Sequence, residues 1–253
     1  MIEVQGLKKS FADKTVLKGI STVFETGKVN MIIGASGSGK TVFVKCLVGL
    51  MQPDTGNILY DGIDFTRLNA RDKKAIRTKI GMLFQGSALF DSMTVEENVM
   101  FPLDMFSNMS QQQKKERVGF CLERVNLIGA NNKYPAEISG GMMKRVGIAR
   151  AIVLNPQYLF CDEPNSGLDP QTALLIDQLI IDITKEFGMT TIMNTHDMSS
   201  VMGIGEKVVF LSKGEKNWEG SNQEILKSHN ETLNDFIFAS DFLKQLRKGV
   251  AIE

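Results

Sequence analysis

The chain has 253 residues, 43% hydrophobic and 23% charged, with 29 basic and 29 acidic side chains and a formal net charge of +0. That length allows one large domain or two small ones with ample core, and the neutral balance gives no bulk electrostatic case for nucleic acid or an anionic membrane surface. No run of about 18 apolar residues occurs, so no helix is expected to span a bilayer. Met1-Ile2-Glu3-Val4 lacks the basic and apolar regions of a signal peptide. The three cysteines, Cys46, Cys121 and Cys161, are odd in number and sit in apolar patterns, as reduced core residues of a cytoplasmic protein do.

In chain order, Ile2 to Val4, Val16 to Leu17 and Ser21 to Phe24 read as three short strands of a meander. Val29 to Ile33 is a buried strand, and Thr41 to Met51, apolar nearly all round, is a buried helix stopping before Pro53. Asn57 to Tyr60 is a strand, Asn69 caps a short basic helix through about Lys79, and Ile80 to Phe84 is a strand. The signal then turns helical as far as about Leu154, with capping boxes at Thr94-x-x-Glu97 and Ser110-x-x-Gln113. Tyr158 to Cys161 is a buried strand, and Asp169-Pro170 opens a long helix closing near Gly188. Thr190 to Asn194, Lys207 to Leu211 and Asn217 to Glu219 complete the strands. Ser221 caps a short helix, and Leu233, Phe236, Ile237, Leu243 and Leu246 put an apolar stripe on a terminal helix at about 231–247. Alternating strands and helices predict an α/β nucleotide-binding core of mostly parallel sheet, with a helical subdomain inserted at about 87–155 and a helical extension at about 221–253. The ligand is expected at the carboxyl ends of the strands.

Gly34-Ala35-Ser36-Gly37-Ser38-Gly39-Lys40-Thr41 fits the phosphate-loop pattern at every fixed position, between a strand and a helix. Its glycines let backbone N–H groups approach phosphate oxygens, and the helix start adds free donors. Lys40 is expected on the β- and γ-phosphates and the Thr41 hydroxyl on Mg²⁺. The strand ending at Cys161 runs into Asp162-Glu163. Two adjacent carboxylates at a buried strand end need a cation or a substrate. Beside a phosphate loop, Asp162 belongs on the Mg²⁺ side and Glu163 polarises the attacking water. His196 follows the strand Thr190 to Asn194, within reach of a γ-phosphate, and Gln85 ends another strand, where its amide can reach Mg²⁺ or the water. Ser139-Gly140-Gly141 opens a helix and makes either a second anion site or a simple N-cap.

This ordered set resembles the ATP-binding subunits of ABC transporters, over nearly the whole chain: Gly34–Thr41, Gln85, Ser139–Gly141, Tyr158–Glu163, Ser166-Gly167-Leu168-Asp169 and His196. The resemblance implies a P-loop ATPase of ABC type on the cytoplasmic face of the inner membrane, as a single domain over 1–253. ATP and Mg²⁺ are its cofactors, and a second copy of itself and an integral membrane permease its partners. Two subunits pair head to tail, with the phosphate loop of one facing Ser139–Gly141 of the other and two ATP molecules between them, and Asp169 is among the nucleotide-binding residues the resemblance implies. Phe11 falls where the family places an aromatic that stacks on adenine. Two positions depart from the family pattern: Met142 stands where Gln is usual, and Asn165-Ser166 where Thr-Ser or Thr-Ala is usual. Met142 and the segments Phe84–Val99 and Tyr134–Met142 resemble the lipid-transport ATPases of the Mla type, which work with MCE-domain proteins. That branch implies phospholipid as cargo, with an MCE-domain lipid-binding protein and a small accessory subunit as further partners. An amino acid or peptide is the alternative cargo, and a soluble ABC protein of DNA repair or translation a more distant reading. Ser87 to Pro102 is the expected contact for the membrane partner, with Leu89 and Phe90 as an apolar knob.

Overall fold

A computed structural model describes residues 1–12 and 14–238. Strands β1 (Ile2–Phe11) and β2 (Lys14–Phe24) form an antiparallel hairpin. With β4 (Thr55–Tyr60) and the short β5 (Ile63–Asp64) they make a four-stranded sheet in the order β2-β1-β4-β5. The three short strands predicted here are instead two long ones. Register shifts interrupt the pairing around Leu7 and after Lys9, and these bulges break the alternation that a short window reads.

The second sheet has six strands: β3 (Val29–Ile33), β6 (Ile80–Leu83), β7 (Tyr158–Asp162), β8 (Thr190–Asn194), β9 (Lys207–Ser212) and β10 (Glu215–Gly220). Their order is β10-β9-β3-β8-β7-β6, all parallel except β10, which runs antiparallel to β9. Every residue of β3 is buried, as a parallel strand covered on both faces requires. Val29, Met31 and Ile33 face one core, with Leu159, Cys161 and Met193; Ile32 faces the other, with Phe160, Ile192 and Val209. Helix α1 (Lys40–Leu47) and the antiparallel sheet close the second core through Phe43, Leu47, Ile2, Val4 and Phe24. Asn30 is the polar member of β3: its Nδ2 donates to the carbonyls of Glu25, Lys28 and Thr191, and its Oδ1 accepts from the Glu25 N–H.

Helix α1 is shorter than predicted. It stops at Leu47 rather than Met51 because Gly49 turns the chain at φ +75°, where a Cβ would lie 2.5 Å from the Phe65 ring. Helix α2 (Ala70–Arg77) follows, capped by Asn69. The helical insertion is α3 (Val95–Phe106), α4 (Gln111–Arg124) and α5 (Gly140–Ile152). Both predicted capping boxes, at Thr94 and at Ser110, are formed. Helix α6 (Pro170–Glu186) opens at the Asp169 cap. Helix α7 (Met198–Ile204) had no counterpart in the sequence pattern, since Ser199, Ser200 and Gly203 are turn-type residues; Asp197 caps it. Helices α8 (Asn222–Ile225) and α9 (Glu231–Ile237) end the described chain. Leu233 and Ile237 join the core, and Phe236 stacks on Phe210 at 5.3 Å, so α9 docks on its own chain. The expected continuation of this helix through Leu243 and Leu246 to Arg247 lies outside the described residues. Among the described residues no helix is long and apolar enough to cross a membrane.

Candidate active site

Four loops meet at the carboxyl edge of the parallel sheet. They follow β3, β6, β7 and β8, and they carry Gly34–Gly39, Gln85, Glu163 and His196 respectively. Gly34 leaves β3 at φ +150°, and a Cβ there would sit 2.2 Å from the Leu211 carbonyl oxygen and 2.7 Å from Ser38 Oγ. Only glycine lets the loop fold this closely over β9. Gly39 enters α1 at φ +105°. The Lys40 ammonium folds back inside the loop and donates to the carbonyls of Gly34 (2.7 Å) and Ala35 (3.1 Å). Burial lowers its pKa, while the carboxylates of Glu163 and Asp162 act in the opposite sense. A cation held at the mouth of a backbone cradle, next to a helix N-terminus, is built to meet phosphate.

Glu163 sits just past β7 in the left-handed region, φ +47°, a costly conformation for a non-glycine residue. Its N–H donates to the Asn194 carbonyl (2.8 Å). Its carboxylate receives Gln85 Nε2 at 3.1 Å and lies 3.0 Å from His196 Nδ1. The Asp162 carboxylate accepts from Asn194 Nδ2 at 2.7 Å. Gln85, Asp162, Glu163 and His196, scattered over more than a hundred residues of sequence, are therefore neighbours. A cavity of about 630 Å³ joins Gly34–Gly37, Gly39, Lys40 and Thr41 to Glu163 and His196.

Three members of the cluster were not assigned to the site from the sequence. Val16 and Phe236 line the same cavity. Lys144, 4% exposed, donates to the Glu163 carbonyl at 3.4 Å, and its pKa is lowered by burial. A lysine inside an otherwise apolar helix face was the available signal for it.

The remaining predicted residues lie apart from this cavity. Ser139 caps α5, accepting the Met142 N–H at 3.3 Å, and Gly141 packs under Thr172, where a Cβ would lie 2.6 Å from Thr172 Cγ2. Asp169 caps α6 and accepts from the Thr172 N–H (3.0 Å) and hydroxyl (2.5 Å). Ser139–Gly141 and Asp169 thus meet each other through Thr172, but neither lines the phosphate-loop cavity. Phe11 stands at the β1–β2 hairpin, 44% exposed, with Lys9 Nζ 5.5 Å from its ring centroid, and does not line the cavity either.

The donor set suits a hard divalent cation. Thr41 offers a hydroxyl, Asp162 a carboxylate and Gln85 an amide, all oxygen ligands. Among the described residues no group of three or more His, Cys, Asp or Glu could hold a metal alone. Mg²⁺ needs no such cage, because one or two carboxylates commonly bind it together with substrate phosphates and waters.

The family model described as "ABC transporter" matches residues 17–166. The chain belongs to the ABC transporter family. It is an ATP-binding cassette, an ATPase working with ATP and Mg²⁺. It is 38% identical over 236 residues to a protein named probable ribonucleotide transport ATP-binding protein mkl, from Mycobacterium leprae, covering 93% of this chain and 68% of that protein. It is 40% identical over 223 residues to the methionine import ATP-binding protein MetN of Carboxydothermus hydrogenoformans, covering 87% of this chain and 66% of that one. The chain spans about two thirds of the length of these curated relatives. Among solved structures, the dimeric post-hydrolysis state of the cassette MJ0796 bound to ADP and Pi superposes with a TM-score of 0.79 at 30% identity, covering 88% of this chain and 99% of that one. The cassette cbiO1 from Clostridium perfringens, part of the transporter complex cbiONQ, gives 0.85 at 27% identity, covering 99% and 98%.

Proposed function

We propose that the chain is the motor subunit of a membrane transporter, with two ATP molecules sandwiched between two copies. One observation carries this reading. A single cavity unites the Lys40 loop with Glu163 and His196, whereas the second anion-binding helix start, Ser139–Gly141, lies outside it. A second copy, inverted, supplies the missing wall. The loop N–H groups and Lys40 hold the phosphates. Thr41, Asp162 and Gln85 would hold Mg²⁺, which would supply charge neutralisation to the phosphates. Glu163 takes the proton of the attacking water as its oxygen bonds to the γ-phosphorus and the bond to the bridging oxygen breaks. His196 contacts the γ-phosphate, Phe11 the adenine, and Asp169 the partner subunit.

The permease docks in a groove of about 680 Å³ framed by α2, β6, α3 and α5. Phe84, Phe90, Phe101 and Phe106 line it, with Arg77 and Arg150 at its wall. The knob expected at Leu89–Phe90 takes a different form: Leu89 packs on the core, and Phe90 packs on Phe101 at 4.9 Å as the wall of a receiving groove. Asn98 fixes that wall, accepting the Phe90 N–H and donating to its carbonyl. A groove rather than a protrusion fits a short helix presented by the membrane subunit. The chain then works peripherally, on the cytoplasmic face of the inner membrane.

For cargo we favour phospholipid, with an MCE-domain partner and a small accessory subunit, on the strength of Met142 and the Phe84–Val99 segment. The names of the relatives supply the second reading, a small polar cargo such as an amino acid or nucleotide. Purifying the tagged chain from its own membranes decides between them. Co-isolation of a permease with an MCE-domain protein and bound phospholipid supports the first. A permease with a soluble solute-binding protein instead refutes it.

A further inference from the structure

Asn165 stands two residues after Glu163, where the family usually carries Thr. It is 8% exposed, and its Nδ2 donates to Asp177 Oδ1 of α6 (2.7 Å) and to Ser200 Oγ of α7 (2.9 Å). Ser200 Oγ lies 3.4 Å from Asp197 Oδ2, and Asp197, next to His196, caps α7 through the Ser199 N–H. Asp177 is 3% exposed, and the groups acting on its carboxyl are Ser200, Asn165 and Asp197; burial pushes its pKa up and the two hydrogen bonds oppose that. A buried carboxylate without a cation is tolerated only where its hydrogen bonds are made. The backbone ties the same loop: Ser166 N–H donates to the Glu163 carbonyl and Leu168 N–H to the Asn165 carbonyl, both at 3.2 Å.

We propose that Asn165 is a positioning residue for ATP hydrolysis, its amide clamping the loop that carries Glu163 to the segment that carries His196 through the buried Asp177 and Ser200. The inference rests on Glu163 and His196 being the hydrolytic pair. An amide nitrogen carries two hydrogens and serves both acceptors, one on each helix; a Thr hydroxyl serves one. The departure from the family residue therefore has a physical use. It holds Glu163 in its left-handed conformation and keeps the carboxylate against His196. Asn165 itself does not line the nucleotide cavity.

Steady-state ATPase assays on the full chain test this, with nucleotide affinity and thermal unfolding measured alongside. Asn165→Thr and Ser200→Ala should each lower kcat about five- to tenfold, the scale of one ordinary hydrogen bond, with KM for ATP changed less than about twofold. Asn165→Asp should lower kcat further, by setting two carboxylates against each other. Combining it with Asp177→Asn reverses donor and acceptor and should return kcat to within about threefold of the unsubstituted protein. Unchanged kcat in both Asn165→Thr and Ser200→Ala overturns the proposal. So does a loss of kcat that merely follows the folded fraction, or a reversed pair that regains thermal stability without turnover. Glu163→Gln is run in parallel. If it retains turnover, the hydrolytic assignment itself fails; if it is inactive while the clamp variants are normal, only the clamp fails.

Discussion

Glu163→Gln separates chemistry from binding at this site. The substitution keeps the side-chain volume, and Gln pays the same backbone cost at φ +47° as Glu does. Its amide oxygen can still accept from Gln85 Nε2, now 3.1 Å away, and His196, with 66% of its side chain exposed, is free to turn. Stability should therefore stay within about 0.5 kcal/mol. Lost is the carboxylate proposed to accept a proton from water. A positioned general base contributes roughly 10²–10⁴-fold, or about 3–5 kcal/mol of transition-state stabilisation. Removing a unit negative charge from the cavity that receives the phosphates acts oppositely on binding. At about 5 Å and an effective dielectric near 20 that repulsion is about 3 kcal/mol, and solvent in the open cavity reduces it. Phosphate release should thus fall at least about a hundredfold. Titration with a fluorescent ATP analogue should show equal or tighter affinity, and size-exclusion with ATP an accumulated dimer. Turnover within about threefold of the unsubstituted protein, with intact nucleotide binding, would falsify the role of Glu163.

Lys40→Ala removes the ammonium that Gly34 and Ala35 hold inside the loop. ATP affinity should drop at least about a hundredfold, since an apolar methyl replaces a charge paired with phosphate; unchanged binding in the same titration refutes the phosphate-loop assignment. Ser139→Arg should abolish hydrolysis while leaving monomer nucleotide affinity intact, because in the proposed dimer that helix start serves the ATP of the other copy. Mixing Ser139→Arg with Lys40→Ala subunits leaves one intact composite site, and activity no higher than in either pure variant counts against head-to-tail pairing. Phe90→Arg puts a charge in the wall of the groove beside α3. Burial of Phe90 against a partner is worth about 1.5–3 kcal/mol, so the variant should lose the permease or its coupling while keeping ATP affinity and melting temperature. Unfolding of the isolated variant would instead mark Phe90 as core, and unimpaired assembly and transport would put the coupling surface elsewhere.

Much of this protein is written locally. The glycine loop, the buried strands of the parallel sheet and the caps at Asn69, Thr94, Ser110, Ser139 and Asp169 follow from neighbours a few residues apart, and all of them form. Steric and hydrogen-bonding preferences of short segments are enough to specify them. What required the tertiary structure is everything set by contacts distant in sequence. Only glycine fits at position 49 beyond the end of α1 because the Phe65 ring lies over it, and Phe90 becomes a groove wall because Phe101 and Asn98 hold it. Helix α7 forms from turn-type residues because Val201 and Ile204 bury in the core. Glu163 meets Gln85 and His196 only because β6, β7 and β8 lie side by side in parallel, so that their carboxyl ends deliver three separate loops to one edge. The clamp at Asn165 has the same origin, since its two acceptors come from helices 12 and 35 residues further along the chain. Local pattern names the candidates; strand order and packing decide which of them can act on the same phosphate.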